Sequence, residues 1–138
     1  MEKELDIREY NIKTLAYMGD AVYELYVREH VVKNSREVAS KLHRKTIKYV
    51  SAKAQEYAMS RIYELLTEEE KEVYKRGRNA NANTVPKNTD IVIYKKATGF
   101  EAVIGYLYLT KQKRRLEDIV KESIKVISER VWYYEYIW

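Results

Sequence analysis

The sequence predicts an all-α fold, and three observations carry that prediction. Among 138 residues there is one proline, Pro86, and only four glycines, so strong backbone breakers are few. Apolar residues recur at three- and four-residue steps over long stretches, the spacing of helix faces. The most apolar stretch, "ATGFEAVIGYLYL" from Ala97 to Leu109, is longer than an ordinary strand.

The elements follow in order. Leu15, Met18, Val22 and Leu25 recur at helical spacing, and Ala16, Gly19, Tyr23 and Tyr26 form an adjacent stripe. A helix apolar over most of its circumference belongs at the centre of a fold. Next, "NSREVASKLHRKTIKYVSAKAQEYAMSRIYELL" reads as two consecutive helices, with Asn34 or Ser35 as the cap. Their apolar faces are Val38, Leu42, Val50, Ala54, Tyr57, Ala58, Ile62 and Leu65. "TEEEKEVYKRGR" opens with Thr67 and Glu70 at capping-box spacing, acid leading and base trailing along the helix dipole. Gly77 to Asp90 reads as a loop rich in asparagine. "IVIYKKATGFEAVIGYLYLTKQ" is a second central helix whose β-branched start is ambiguous. The last helix presents Leu116, Ile119, Val120, Ile124, Ile127 and Val131 on one side, then ends in the aromatic run "WYYEYIW". That run is expected to tuck against the domain's own surface. No linker divides the chain, so 1–138 is expected to be a single domain.

Composition narrows the function. There is no cysteine, which excludes disulfides and thiolate metal sites, and with only His30 and His43 a histidine zinc site is a poor fit. No signal-peptide pattern opens the sequence, and no apolar run approaches the roughly 20 residues that span a bilayer, so the expectation is a cytoplasmic protein without a membrane role. Lys and Arg number 26 against 21 Asp and Glu, a net charge of +5. That favours a polyanionic partner where the positive charge gathers on one face.

Two acids stand out. "DAVYELYV" from Asp20 is echoed by "EAVIGYLYL" from Glu101, each an acid heading a near-continuous apolar helix. Neither has a Lys or Arg within one turn. A buried, unpaired carboxylate costs several kcal/mol, so each acid must be protonated, paired across the fold or bound to a cation, unless a cleft leaves it hydrated. If the two converge, hard oxygen ligands on rigid helices suit Mg²⁺ or Mn²⁺, which would assist water attack on a phosphodiester. Gly19 would let another backbone approach beside Asp20. The plainer alternative is a structural hydrogen-bond acceptor. Glu24 is expected to pair with Arg28.

Basic residues gather in two places. Lys41, Arg44, Lys45 and Lys48 form one stripe at helical steps. In the loop region Arg76, Arg78 and Lys87 alternate with Asn79, Asn81, Asn83 and Asn88, a mixture able to hold phosphates and sugars. Arg114 and Arg115 are further candidates. Charge runs are also the ordinary face a helix shows to water.

Together these segments resemble the ribonuclease III family. "YMGDAVYEL" resembles its signature and "FEAVIGYLYL" its second acidic motif. "LAYMGDAVYELYVR", "KLHRKTIKYVSAKAQ", "KRGRNANANTVPKNTD" and "ATGFEAVIGYLYL" occur in the order of the Mini-ribonuclease III branch, which has a catalytic domain and no double-stranded-RNA-binding domain. The resemblance covers roughly residues 13–115 and leaves the 132–138 tail outside. It implies a ribonuclease III endonuclease-domain-like helical bundle acting as a homodimer. It implies Mg²⁺-dependent cleavage of double-stranded RNA, with precursor 23S ribosomal RNA as substrate and a ribosomal protein as helper. It assigns Asp20 and Glu101 as catalytic metal ligands, and Tyr17, with Met18 beside it, to the dimer interface. Ala16 and Thr98 stand where larger relatives carry two more acids. That departure supports a rival reading, a non-catalytic RNA-binding or ribosome-assembly protein. A second rival is a helical protein–protein interaction module.

Overall fold

The computed structural model describes residue 6 and residues 9–82 and 85–137, with side chains as far as 130. Expectations about Asn83, Val131 and the aromatic tail fall outside the described residues or side chains. The described chain is helical and without strands: α1 (Ile12–Lys33), α2 (Ala39–Val50), α3 (Ala52–Ile62), a short 3₁₀ turn (Tyr63–Leu65), α4 (Glu68–Arg78), α5 (Ile91–Leu109) and α6 (Lys113–Ile137). None of its helices is long and apolar enough to cross a membrane.

The axis of the bundle is α5, which packs against α1, α3, α4 and α6. Ala97, Phe100, Ala102, Val103, Ile104, Tyr106 and Leu107 are all buried along it. Its β-branched start is helical because Asp90 caps it, accepting from the backbone N–H groups of Val92 (2.8 Å) and Ile93 (3.2 Å). The helix stops at Leu109, short of "TKQ"; Lys111 follows with φ 60°.

α1 lies directly against α5. A Cβ on Gly19 would overlap the backbone carbonyl of Glu101, and one on Gly105 would overlap that of Leu15. Two glycines thus remove side chains from both sides of the crossing and let the backbones touch. The rings of Tyr23 and Phe100 meet edge to face, their centroids 4.8 Å apart and their planes at 79°, closing the same interface. The Tyr23 hydroxyl has no hydrogen-bond partner, and burial raises its pKa above the usual tyrosine range.

Several local expectations change. Asn34 caps the end of α1 instead of the start of α2, donating from its side chain to the His30 carbonyl at 2.8 Å. Ser35 also lies before α2, which starts at Ala39 without a side-chain cap. Leu25 on α1 is 67 % exposed, and Val38 and Leu65 are exposed as well. The apolar stripe of α1 is therefore wider than the surface its neighbours cover. The loop expected from Gly77 starts later, since Gly77 and Arg78 close α4.

The start of α4 is tied down more firmly than capping alone would do. The Thr67 N–H donates to Glu70 Oε1 (2.9 Å), and the Glu70 N–H donates to Thr67 Oγ1 (3.1 Å). Glu70 is only 2 % exposed. Arg115 reaches it from α6, with Nε 2.8 Å from Oε2 and Nη2 2.8 Å from Oε1, while Nη2 also donates to the Leu65 carbonyl at 2.6 Å. Burial pushes the Glu70 carboxyl up, but the bonds from Arg115 and Thr67 together outweigh it and hold the pKa below the usual range. Arg115 is thus a structural clamp, which corrects its place among the candidate RNA contacts.

Candidate active site

The contact between Gly19 and the Glu101 backbone decides where the two acids go. Asp20 follows Gly19 on α1, so its side chain emerges beside that of Glu101 on α5. The two carboxyl groups line one cleft of about 190 Å³, near enough for the charge of Asp20 to act on Glu101. Asp20 is exposed to the cleft and Glu101 is half-buried. The cleft supplies the hydration that the apolar sequence around Asp20 left in doubt.

Glu101 is under electrostatic stress. Burial first, then the Asp20 hydrogen bond and charge, push its pKa up to about 8, while a hydrogen bond from Gln55 opposes the rise. A carboxyl held this high invites either a proton or a cation. The pair therefore fits a hard divalent ion, with two protein carboxylates at most: among the described residues no group of three or more His, Cys, Asp or Glu could hold a metal. Ala16 and Thr98 line the same cleft. The two positions that lack acids thus border the site itself, and the Thr98 hydroxyl is engaged with its own helix, donating to the Tyr94 carbonyl at 3.0 Å.

Lys13 and Lys95 also line the cleft, from α1 and α5. Sequence reasoning passed over both. Lys13 stands two turns before Asp20 on the same helical face, a placement the spacing could have revealed. Gln55 was also missed. It is 2 % exposed, and an uncharged residue in an apolar helix gives no signal of its own.

The basic residues singled out in the sequence do not line this cleft. On α2, Lys41, Arg44 and Lys48 are exposed, while Lys45 is half-buried and bonded to Glu37 (3.4 Å) and Ser35 (3.2 Å). Arg76 is half-buried on α4. Arg78 lies over the Tyr74 ring at 5.6 Å and bonds Asn79 Oδ1 at 3.4 Å. Lys87 and Asn88 are exposed in the turn before α5, Asn88 with φ 66°. Gly77, Ala80 and Asn81 form one wall of the cleft, so the chain segment carrying Arg76, Arg78 and Asn79 borders it. Glu24 pairs with Arg28 at 3.0 Å, as expected. Tyr17 lines the cleft and is 83 % exposed, and Met18 beside it is half-buried against the core.

A helical bundle with two facing acids in a cleft between its central helices defines a ribonuclease III-type domain, and the chain matches the Ribonuclease III domain over residues 13–112. It is an endoribonuclease. The chain belongs to the Mini-ribonuclease 3 family. It is 50 % identical over 115 residues to the Mini-ribonuclease 3 of Thermoanaerobacter sp., spanning 83 % of this chain and 81 % of that one. It is 48 % identical over 126 residues to that of Enterococcus faecalis, spanning 90 % and 96 %. A crystal structure of a Fusobacterium nucleatum protein superposes with a TM-score of 0.78 at 34 % identity, covering 87 % of this chain and 96 % of that one.

Proposed function

We propose that this endoribonuclease cuts double-stranded RNA with Mg²⁺, Mn²⁺ serving as a substitute, and matures the ends of precursor 23S ribosomal RNA in the cytoplasm. The observation that carries the reading is the convergence of Asp20 and Glu101 on a cleft that also holds Lys13 and Lys95. Asp20 and Glu101 would hold the ion, which supplies a Lewis acid to the phosphodiester and an activated water. The two lysines would meet the non-bridging oxygens of the same phosphate. Lys41, Arg44, Lys45 and Lys48, with Arg76, Arg78, Asn79, Lys87 and Asn88, would hold the flanking duplex.

In this reading the catalytic surface, doubled in a homodimer, holds the RNA. Tyr17, Leu25 and Val32 are large apolar side chains exposed on α1, a face that a second copy would cover, with Met18 at its edge. A ribosomal protein on the precursor particle would add to the docking surface.

The deciding experiment compares wild type with Asp20→Asn on duplex RNA. The expected result is cleavage by wild type that requires Mg²⁺ or Mn²⁺, and a variant that binds the duplex without cutting it. Cleavage unchanged by the substitution, or by removal of divalent ions, would overturn the assignment.

A further inference from the structure

A second pocket lies beside the cleft. α4 and α5 touch through Gly77, where an added Cβ would stand 2.8 Å from the Cα of Gly99. Gly77 and Lys95 line the cleft, and the residues that follow them, Arg78 and Lys96, line a separate pocket of about 270 Å³. The two spaces are therefore neighbours, one residue apart along each helix. The floor of the second is apolar and aromatic: Met59 from α3 and Tyr74 from α4 are buried there. Tyr63, from the 3₁₀ turn, meets the Tyr74 ring edge to face, the centroids 5.7 Å apart. The Arg78 guanidinium lies 5.6 Å from the centre of the Tyr74 ring. At the rim Glu56 of α3 faces Lys96 of α5, Oε1 3.9 Å from Nζ, which is beyond hydrogen-bond range. Both side chains are partly exposed, so each keeps hydrogen-bonding capacity for a ligand.

We propose that this pocket takes one unpaired nucleotide of the RNA, a base displaced from the duplex within a few nucleotides of the cut. The inference rests on the RNA-cleaving reading above. Bases outside a duplex are recognised by contact with aromatic rings and guanidinium groups, and by hydrogen bonds to their exposed edges. Tyr63 and Arg78 supply the first. Glu56 supplies the second, as an acceptor for an exocyclic amino group. Lys96 meets the attached phosphate. Charge decides against a bare phosphate as the occupant, because it would face the Glu56 carboxylate at the same rim. Size limits the occupant to one nucleotide, since pockets for larger ligands begin at about 300 Å³. Uracil alone among the four bases has no exocyclic amino group, so Glu56 makes the pocket discriminate against it.

The test measures binding by the full chain, in EDTA, to a set of otherwise identical RNA duplexes. One is fully paired. The others carry a single bulged C, A, G or U at each of the nearest few positions on either side of the point where the paired duplex is cut. The expected result, at one of these positions, is that a bulged C, A or G binds roughly 5–10-fold more tightly than the paired duplex. A bulged U at that position should bind roughly fivefold less tightly than C. Lys96→Met should lose the gain. Glu56→Gln should erase the difference between C and U while keeping wild-type melting, and affinity for the paired duplex within about twofold, because a partly exposed ion pair contributes little to stability. Equal affinity for paired and bulged duplexes at every position, or a base preference that Glu56→Gln leaves intact, overturns the nucleotide pocket and leaves the endoribonuclease reading standing. A wild-type chain that neither binds nor cuts the paired duplex overturns that reading and the pocket with it.

Discussion

Gly19 lies so close to the backbone carbonyl of Glu101 that no side chain fits between them. One helix crossing therefore sets both the packing of the core and the meeting of the two acids. The obstacle that a larger residue would meet is backbone, which cannot swing aside as a flexible side chain would.

Gly19→Ala follows directly. The added methyl group must push α1 away from α5, at a cost of about 1–3 kcal/mol or more for overpacking. Separation of the helices also separates Asp20 from Glu101, so activity should fall by more than the loss of folded protein explains. Denaturant melts and specific activity at a temperature where the variant is fully folded check the two effects separately.

The Glu101 pKa makes stability depend on pH in a defined direction. Raised from 4.5 to about 8, the folded carboxyl keeps a proton that the unfolded chain has lost between those values. The contribution of Glu101 to the stability of the metal-free protein should then be greatest below the lower value, fall as pH rises through the window, and level off above about 8. Glu101→Gln, permanently neutral, should remove this slope and exceed wild type in stability at pH 8.5 in EDTA. Urea unfolding across pH 4.5–9 reads it; a wild-type slope retained by the variant would assign the dependence elsewhere.

Arg115→Ala separates structural from RNA-binding charge. It strands Glu70 beneath the start of α4, and the expected loss is about 3 kcal/mol, the lower end for breaking a buried pair because Arg115 is partly exposed. Duplex RNA affinity of the folded variant should stay unchanged.

Lys95→Met and Lys13→Met test the cleft cations. If each lysine meets a phosphate, each variant should bind duplex RNA more weakly and flatten the dependence of log affinity on log salt by about one unit per contact. Filter binding between low and moderate salt gives the slopes. Identical slopes in wild type and both variants would remove these lysines from the interface.

Much of the frame is legible in the residues. The helical periods place α1 and α5 at the centre, the Thr67 and Glu70 spacing marks the start of α4, and the Glu24–Arg28 pair forms one turn apart. These are local relations, fixed by the pitch of a helix. The misread points are those where a long-range neighbour intervenes. Asn34 has two helix ends within reach, and the end of α1 takes it. Arg115 looks like a surface cation until Glu70 arrives from a helix 45 residues away in sequence.

The acids show the same division. Sequence alone marks Asp20 and Glu101 as costly charges on apolar helices, and Gly19 as a place where backbone could come close. It carries no information on the distance between residues 81 positions apart. The tertiary crossing of α1 and α5 brings them together, opens the cleft that hydrates Asp20, places Ala16 and Thr98 on its wall, and brings in Lys13 and Lys95. The physical reason is that helix pitch is a property of neighbouring residues, whereas the electrostatics of a carboxyl group depend on whatever charge, dipole or solvent the whole fold sets beside it.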